Sequence, residues 1–445
     1  MTSPAHRSIE HWRAAHDRID SAGEASEALG ASRREAWNTF IEQGLPTRRL
    51  EAWKYTSLAQ AEKIEWSGPD AAKNDLETLP ETALNRGAAG RWALVDGHFV
   101  TPPEPPPAQA GFRCDSIATL RAQPTLDHSL SKVLGQLADP KIHALTALNT
   151  ALLEDGALIE IDQGTDVPGM LHLTILDSKP KTLTCPRVAI LARAGSRATL
   201  MIEHRTSGAG PRLGACVSEV IVEDNAELNI VVVQDEGNES FLASNLYSRQ
   251  GRDGRLRVHT FTLGGQLVRN EIESVLADGG ADVELRGLFI GTHKRHIDHR
   301  TTVDHAVSHS TSNELYKGIL GQASRGVFCG RVIVRPDAQK TDSRQSNPNL
   351  LLGDKSEIDT QPQLEIYADD VKCSHGSTIG RLDKEALFYL RARGIGDEAA
   401  QAILTRGFAQ EIVEGVPDAA AQAQLSEQVA RCLETATGAP LGETS

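Results

Sequence analysis

Cys373 and His375 stand two residues apart in the segment VKCSHGSTIG, and a thiol beside an imidazole can do several kinds of chemistry. A strand turns alternate side chains to opposite faces, so residues i and i+2 point the same way. The pair is therefore expected on one face of a strand that follows LEIYADDVK. A free thiol with a pKa of about 8.5 is only a few per cent ionised at neutral pH, which makes it a weak nucleophile and a weak soft-metal ligand. A neighbouring imidazolium favours the thiolate. Three readings stay open: a structural cysteine beside a surface histidine, a Cys-His catalytic pair, and a soft-metal or sulfur site completed by another chain.

Other residue types with chemical potential are scattered. The six cysteines, at 114, 185, 216, 329, 373 and 432, show no CxxC spacing, which argues for reduced cytosolic thiols rather than a disulfide framework or a zinc ribbon. Cys329 reads as a core residue. The stretch GTHKRHIDHRTTVDHAVSHS carries His293, His296, His299, His305 and His309, but it holds no HExxH helix, and positions 293 and 296 fall on opposite faces of a strand. Polar side chains stacked along a strand face explain it better than a metal site. TRRLEAWKYTSL at 47–58 has the mixture that stacks on a base or a flavin, and equally that of a packed element with snorkelling arginines. No Walker A glycine loop is present, so ATP hydrolysis is not expected of this chain.

The elements that must hold these residues change texture along the chain. With 445 residues, two or three domains are expected. A first region, 1–156, reads as mainly helical. It holds four of the five tryptophans before residue 85 and then a spacer, TPPEPPPAQAG at 101–111, too rich in proline for helix or central strand. From 157 to 382 short Val/Ile/Leu-rich strands alternate with Gly, Asn and Asp turns, each reading as a strand pair across a turn, with alanines recurring at Ala198, Ala226 and Ala281. That texture favours an all-β stack, a β-helix before a sandwich. From 383 to 445 the periodicity is helical, starting at Asp383 as N-cap and pausing near Gly394.

The net charge of −14 opposes nucleic-acid binding. No apolar run reaches the length of a membrane span, and the first twenty residues lack the apolar core of an export signal. A cytoplasmic location is expected. A polysaccharide-cleaving β-helix enzyme is disfavoured for the same reason, and because no converging carboxylates stand out.

The segments RRLEAWKYTSL, HIDHRTTVDHAVSHSTSNELYKGIL, KTDSRQSNPNLLL and QPQLEIYADDVKCSHGSTIGRLDKEALFYLRARGI, followed by GFAQEIV, together resemble the SufB/SufD family of the SUF iron-sulfur cluster assembly machinery, on its SufD-like side. The resemblance implies a mainly β fold, a right-handed parallel β-helix core flanked by helical regions. It implies a scaffold, not an enzyme, that pairs with a SufB-like paralogue and binds a SufC-like ATPase. Cys373 and His375 match the family's Cys-x-His positions, at an interface where a transient iron-sulfur cluster is shared with SufB. The ATPase-binding helices would present Leu387, Phe388, Tyr389, Leu390, Arg391, Arg393 and Gly394, then Ile403, Leu404 and Phe408. A flavin is implied for the assembled complex, with no residues of this chain attached to it. A homodimer through the same β-helix edge is the alternative.

Overall fold

The computed structural model describes residues 3–22, 27–69, 82, 84–100, 111–123 and 127–437. Apart from Gly111, the proline-rich spacer lies outside the described residues. Two helices open the chain, Pro4–Ser21 (α1) and Glu27–Gln43 (α2), followed by strands Gly90–Val95 (β1), His98–Val100 (β2) and Phe112–Ser116 (β3). Three short helices come next, Ile117–Arg121 (α3), His128–Val133 (α4) and Ala144–Ala151 (α5). Strands then run without interruption: Gly156–Ile161 (β4), Asp166–Asp177 (β5), Leu183–Thr184 (β6), Arg187–Ala192 (β7), Arg197–Thr206 (β8), Arg212–Val222 (β9), Glu227–Asp235 (β10), Ser240–Gln250 (β11) and Arg255–Thr262 (β12). They continue as Leu267–Leu276 (β13), Asp282–Gly291 (β14), His296–His305 (β15), Thr311–Leu320 (β16), Arg325–Val334 (β17), Asp342–Leu351 (β18), Glu357–Ile366 (β19) and Lys372–Gly380 (β20). Lys384–Arg391 (α6), Asp397–Glu414 (α7) and Ala419–Thr437 (α8) close the chain.

Among the described residues only the entry strands form antiparallel neighbours, β1 with β2 and β3 with β4; from β4 onward successive strands do not pair with each other, contrary to the reading of each repeat as a strand pair across a turn. They alternate between two sheets, one ordered β2-β1-β5-β8-β10-β12-β14-β16-β18-β20 and the other β19-β17-β15-β13-β11-β9-β7-β4-β3. From β4 onward every ladder joining these strands is parallel. The result is a β-solenoid. Register partners lie 27 residues apart between Arg255 and Asp282 and 31 apart between Thr311 and Asp342, so corner lengths vary and no fixed sequence period exists. The recurring alanines, Ala198, Ala226 and Ala281, all line the interior core.

The outer faces are covered on both sides. Trp12, Trp37, Phe40, Trp53 and Trp66 of the N-terminal region pack on Leu213, Phe241 and Leu267 of the second sheet. TRRLEAWKYTSL is such a packed element: its Trp53 lies under the Arg269 guanidinium, 4.0 Å from the ring centroid. Helices α7 and α8 cover the first sheet, with Ile412, Val413, Leu425 and Leu433 against Val231, Phe261, Leu288 and Ile290. Burying each such side chain is worth about 1.5–3 kcal/mol. No helix among the described residues is long and apolar enough to cross a membrane.

Just after β10, Glu236 is 6 % exposed. Burial, with the negative charges of Asp177 and Asp235 beside it, pushes its carboxyl up to about 8. The folded chain thus holds a proton that the unfolded chain releases above the ordinary carboxylate pKa, and stability falls as pH rises toward 8. Glu236→Gln removes that dependence. Its unfolding free energy relative to the unmodified chain, from urea titrations, should rise between pH 6 and pH 8 by about 2 kcal/mol, and an unchanged difference would contradict the buried neutral acid.

Candidate functional site

Because the solenoid stacks strands in register, inward-facing residues form ladders along its axis. One ladder runs Leu200, Ile230, Val258, Leu285, Glu314, Gln345, His375. The next runs Ala198, Leu228, Leu256, Val283, Ser312, Ser343, Cys373. Both are aliphatic through the middle coils and turn polar over the last three. Cys373 and His375 each terminate a ladder on β20, the final strand of its sheet. As the spacing predicts, they share a face, and that face is the interior.

The polar coils are mostly satisfied by hydrogen bonds, as buried polar groups must be. Ser312 Oγ donates to Ser343 Oγ at 2.8 Å and lies 2.9 Å from His305 Nε2. Thr301 Oγ1 donates to Glu314 Oε2 at 2.5 Å, and Gln345 Nε2 donates to Glu314 Oε1 at 3.1 Å. Burial outweighs these bonds and pushes the Glu314 carboxyl up to about 7.

At the open end, protection stops. Most of β20 is exposed, His375 included, while Cys373 is half-buried against Val332, Val334, Ala338 and Ala368. Partial burial and the Asp342 carboxylate raise the Cys373 pKa, against a backbone hydrogen bond at Ser343. Both influences favour the thiol over the thiolate at Cys373. Ile366, Tyr367 and Ile379 stand exposed on the same two end strands and the corner between them. Such an edge normally needs covering, since it offers a row of unpaired backbone groups to another chain.

Cys329 is not a neighbour of Cys373 in any useful sense. It sits on β17, in the other sheet, at an outward position opposite Arg300 and Gln361. Its Sγ is 3.9 Å from Gln361 Oε1. Strand parity separates the two thiols, and only the sheet assignment reveals it. The histidines also disperse. His299 and His305 are interior, His299 tilted between Phe289 and Tyr316. His296 faces outward to Thr56 Oγ1 at 2.8 Å, and His293 and His309 occupy corners with positive φ. Among the described residues, one three-residue grouping with metal-compatible atoms is His143, Glu271 and Glu273, which sequence reading missed because the contacts are long-range. It is an ion network: His143 Nε2 is 2.7 Å from Glu273 and Glu271 is held by Arg269 at 3.0 Å. Burial opposes the His143 charge, yet the Glu273 hydrogen bond and Glu271 raise its pKa.

The C-terminal helices divide by role. Asp383 caps α6 by accepting from Glu385 N at 2.8 Å, and Gly394 takes φ +84° beyond the last turn. Helix α6 has no buried residue. Leu387 and Leu390 are half-buried, whereas Phe388, Tyr389 and, on α7, Ile403 are 68 %, 56 % and 49 % exposed. Arg393 stacks on the Tyr389 ring at 3.4 Å, and Arg391 pairs with Asp397 at 3.0 Å. Leu404 and Phe408 turn partly inward, Phe408 giving its carbonyl to buried Lys317 Nζ at 3.0 Å. A Cβ placed on Gly407 would meet nothing within 4 Å among the described residues, so the close backbone approach that this glycine permits is not used within them.

Two family models cover nearly the whole chain. The SufBD core domain of SUF-system FeS cluster assembly matches residues 174–408, and the SufBD N-terminal region matches 3–173. The chain belongs to the SufBD family. The Escherichia coli iron-sulfur cluster assembly protein SufD is 30% identical over 419 residues, 92% of this chain and 95% of that one. A SufBD family protein of Synechocystis is 29% identical over 92% of both chains. One from Mycobacterium leprae is 38% identical over 49% of this chain and 57% of its own. Membership of the SufBD family places the chain in iron-sulfur cluster assembly, and gives the polar end of its solenoid a chemical context.

Proposed function

We propose that this SufBD-family chain is a non-catalytic scaffold subunit of a cytoplasmic SUF-type assembly complex. The observation that carries the reading is the open end of the solenoid, where Cys373 and His375 terminate two inner ladders between exposed apolar residues. A SufB-like paralogue covers that end by continuing both sheets, and a transient iron-sulfur cluster forms at the shared interface. Iron and sulfide are cargo there. Residues 383–445 bind a SufC-type ATPase, chiefly through the exposed side of α6 and Ile403, while 1–156 and 157–382 supply the flanking region and the solenoid. A flavin of the assembled complex has no residues assigned on this chain.

Anaerobic capture of the tagged chain from its host tests the reading, with stoichiometry by mass spectrometry and iron and sulfide assayed on the product. Recovery with one SufB-like chain and two ATPase subunits is the expected result. Two copies of this chain without an ATPase would favour self-association instead and remove the scaffold argument. His375→Ala should retain both partners and the unfolding midpoint yet lower bound iron by about 100-fold or more, since loss of a group that merely supports a ligand already costs about 10–100-fold. Full iron loading in that variant would end the role assigned to His375.

A further inference from the structure

Behind His375, two polar side chains run inward from the open end. Gln345, the register partner of His375 on β18, is 3 % exposed. Its Nε2 is committed to Glu314 Oε1 at 3.1 Å, and Glu314 is held from the other side by Thr301 at 2.5 Å. The amide already rests against the facing sheet, since a Cβ on Gly330 would lie 2.1 Å from Gln345 Nε2. What remains is Oε1, which is buried and accepts no hydrogen bond among the described residues. Leaving a buried acceptor without a partner is unfavourable, and a donor arriving from the neighbouring strand would remove that cost.

We propose that Gln345, braced by Glu314 and Thr301, is a positioning residue for His375: its free Oε1 accepts the imidazole N–H once a partner covers the end of the solenoid. The inference rests on the reading of His375 as an interface ligand and supplies its missing second partner. A histidine that binds metal through one ring nitrogen is held by an acceptor on the other, which fixes tautomer and ring orientation. Paired strands lie about 4.8 Å apart, a gap that an amide and an imidazole on adjacent rungs can bridge. In the structure the amide is oriented with Nε2 on Glu314 Oε1, which leaves Oε1 as the free acceptor.

The test uses the complete anaerobic complex with three variants: Gln345→Leu, the charge-conserving exchange Glu314→Gln with Gln345→Glu, and His375→Ala. Gln345→Leu should capture its partners normally and bind iron about tenfold or more weakly. The exchange keeps the buried hydrogen bond with its direction reversed and restores an acceptor. Iron binding should recover, with its pH midpoint moved upward because a carboxylate stabilises the imidazolium. An unaltered affinity and pH profile in Gln345→Leu overturns the proposal, as does an exchange no better than leucine. If the leucine variant loses its partners, the wild-type complex decides, with histidine rings labelled by nitrogen-15. A slowly exchanging His375 ring N–H is expected, and rapid exchange overturns the assignment. Normal iron in His375→Ala would sink the ligand reading alone, and the ring N–H measurement would still judge the contact with Gln345.

Discussion

Replacing Phe388 and Tyr389 together by aspartate is expected to lower capture of the SufC-type ATPase by about 100-fold or more, since exposed aromatic anchors commonly contribute 2 kcal/mol or more each to an interface. The expectation comes from how little holds α6. An eight-residue helix is marginal in water without a partner, yet this one buries nothing and shows its two largest rings to solvent. Its contacts within the chain are chiefly with α7, through pairs such as Arg391 and Asp397. Because neither ring supports the β-helix, the urea midpoint should not move, and neither should recovery of the SufB-like partner. Capture of the ATPase at the unmodified level would place its docking surface elsewhere.

Glu219→Ala should destabilise the chain by about 3–5 kcal/mol, the usual result of stranding one member of a buried ion pair. Arg187 and Glu219 are 1 % and 0 % exposed and 2.6 Å apart. Glu219 also accepts from the backbone N–H groups of Gly135, Leu137 and Ala138 at 2.9, 2.9 and 3.2 Å. Arg187 reaches Asn149 and Thr150 on α5 at 2.8 and 2.7 Å. One carboxylate thus pins the segment after α4 to β9, and removing it leaves a buried cation and three backbone donors without an acceptor. Leucine at both 187 and 219 should cost less than Glu219→Ala alone, because no charge is then left unpaired. Urea unfolding of the three chains checks this, and a loss below about 1 kcal/mol for Glu219→Ala would show that water reaches the pair.

Local chemistry was legible without coordinates. The parity that puts Cys373 and His375 on one face follows from strand geometry over three residues, and both survive in β20. The cap at Asp383 and the positive φ of Gly394 follow from side-chain reach and the lack of a Cβ, again within a few residues. Helix α8, with Leu425, Val429 and Leu433 buried, falls within the 383–445 stretch whose periodicity is helical. Segment resemblance carried the family, and the strand-turn texture carried the solenoid.

Relations between coils were not legible. Whether Cys329 meets Cys373, which residue stands behind His375, and where the interior turns from aliphatic to polar all depend on register between strands about 30 residues apart. Corner lengths set that register, and a shift of one residue sends every side chain to the opposite face. The Glu219 pair and the His143 network depend likewise on contacts between distant segments. Residue order alone dictates which side chains can share a strand face, where helices begin and end, and which family's segments the chain carries. That Cys373 and His375 terminate polar ladders at an open end comes from the stacking of the coils, because inward position is a property of the whole stack and is not encoded in any one strand.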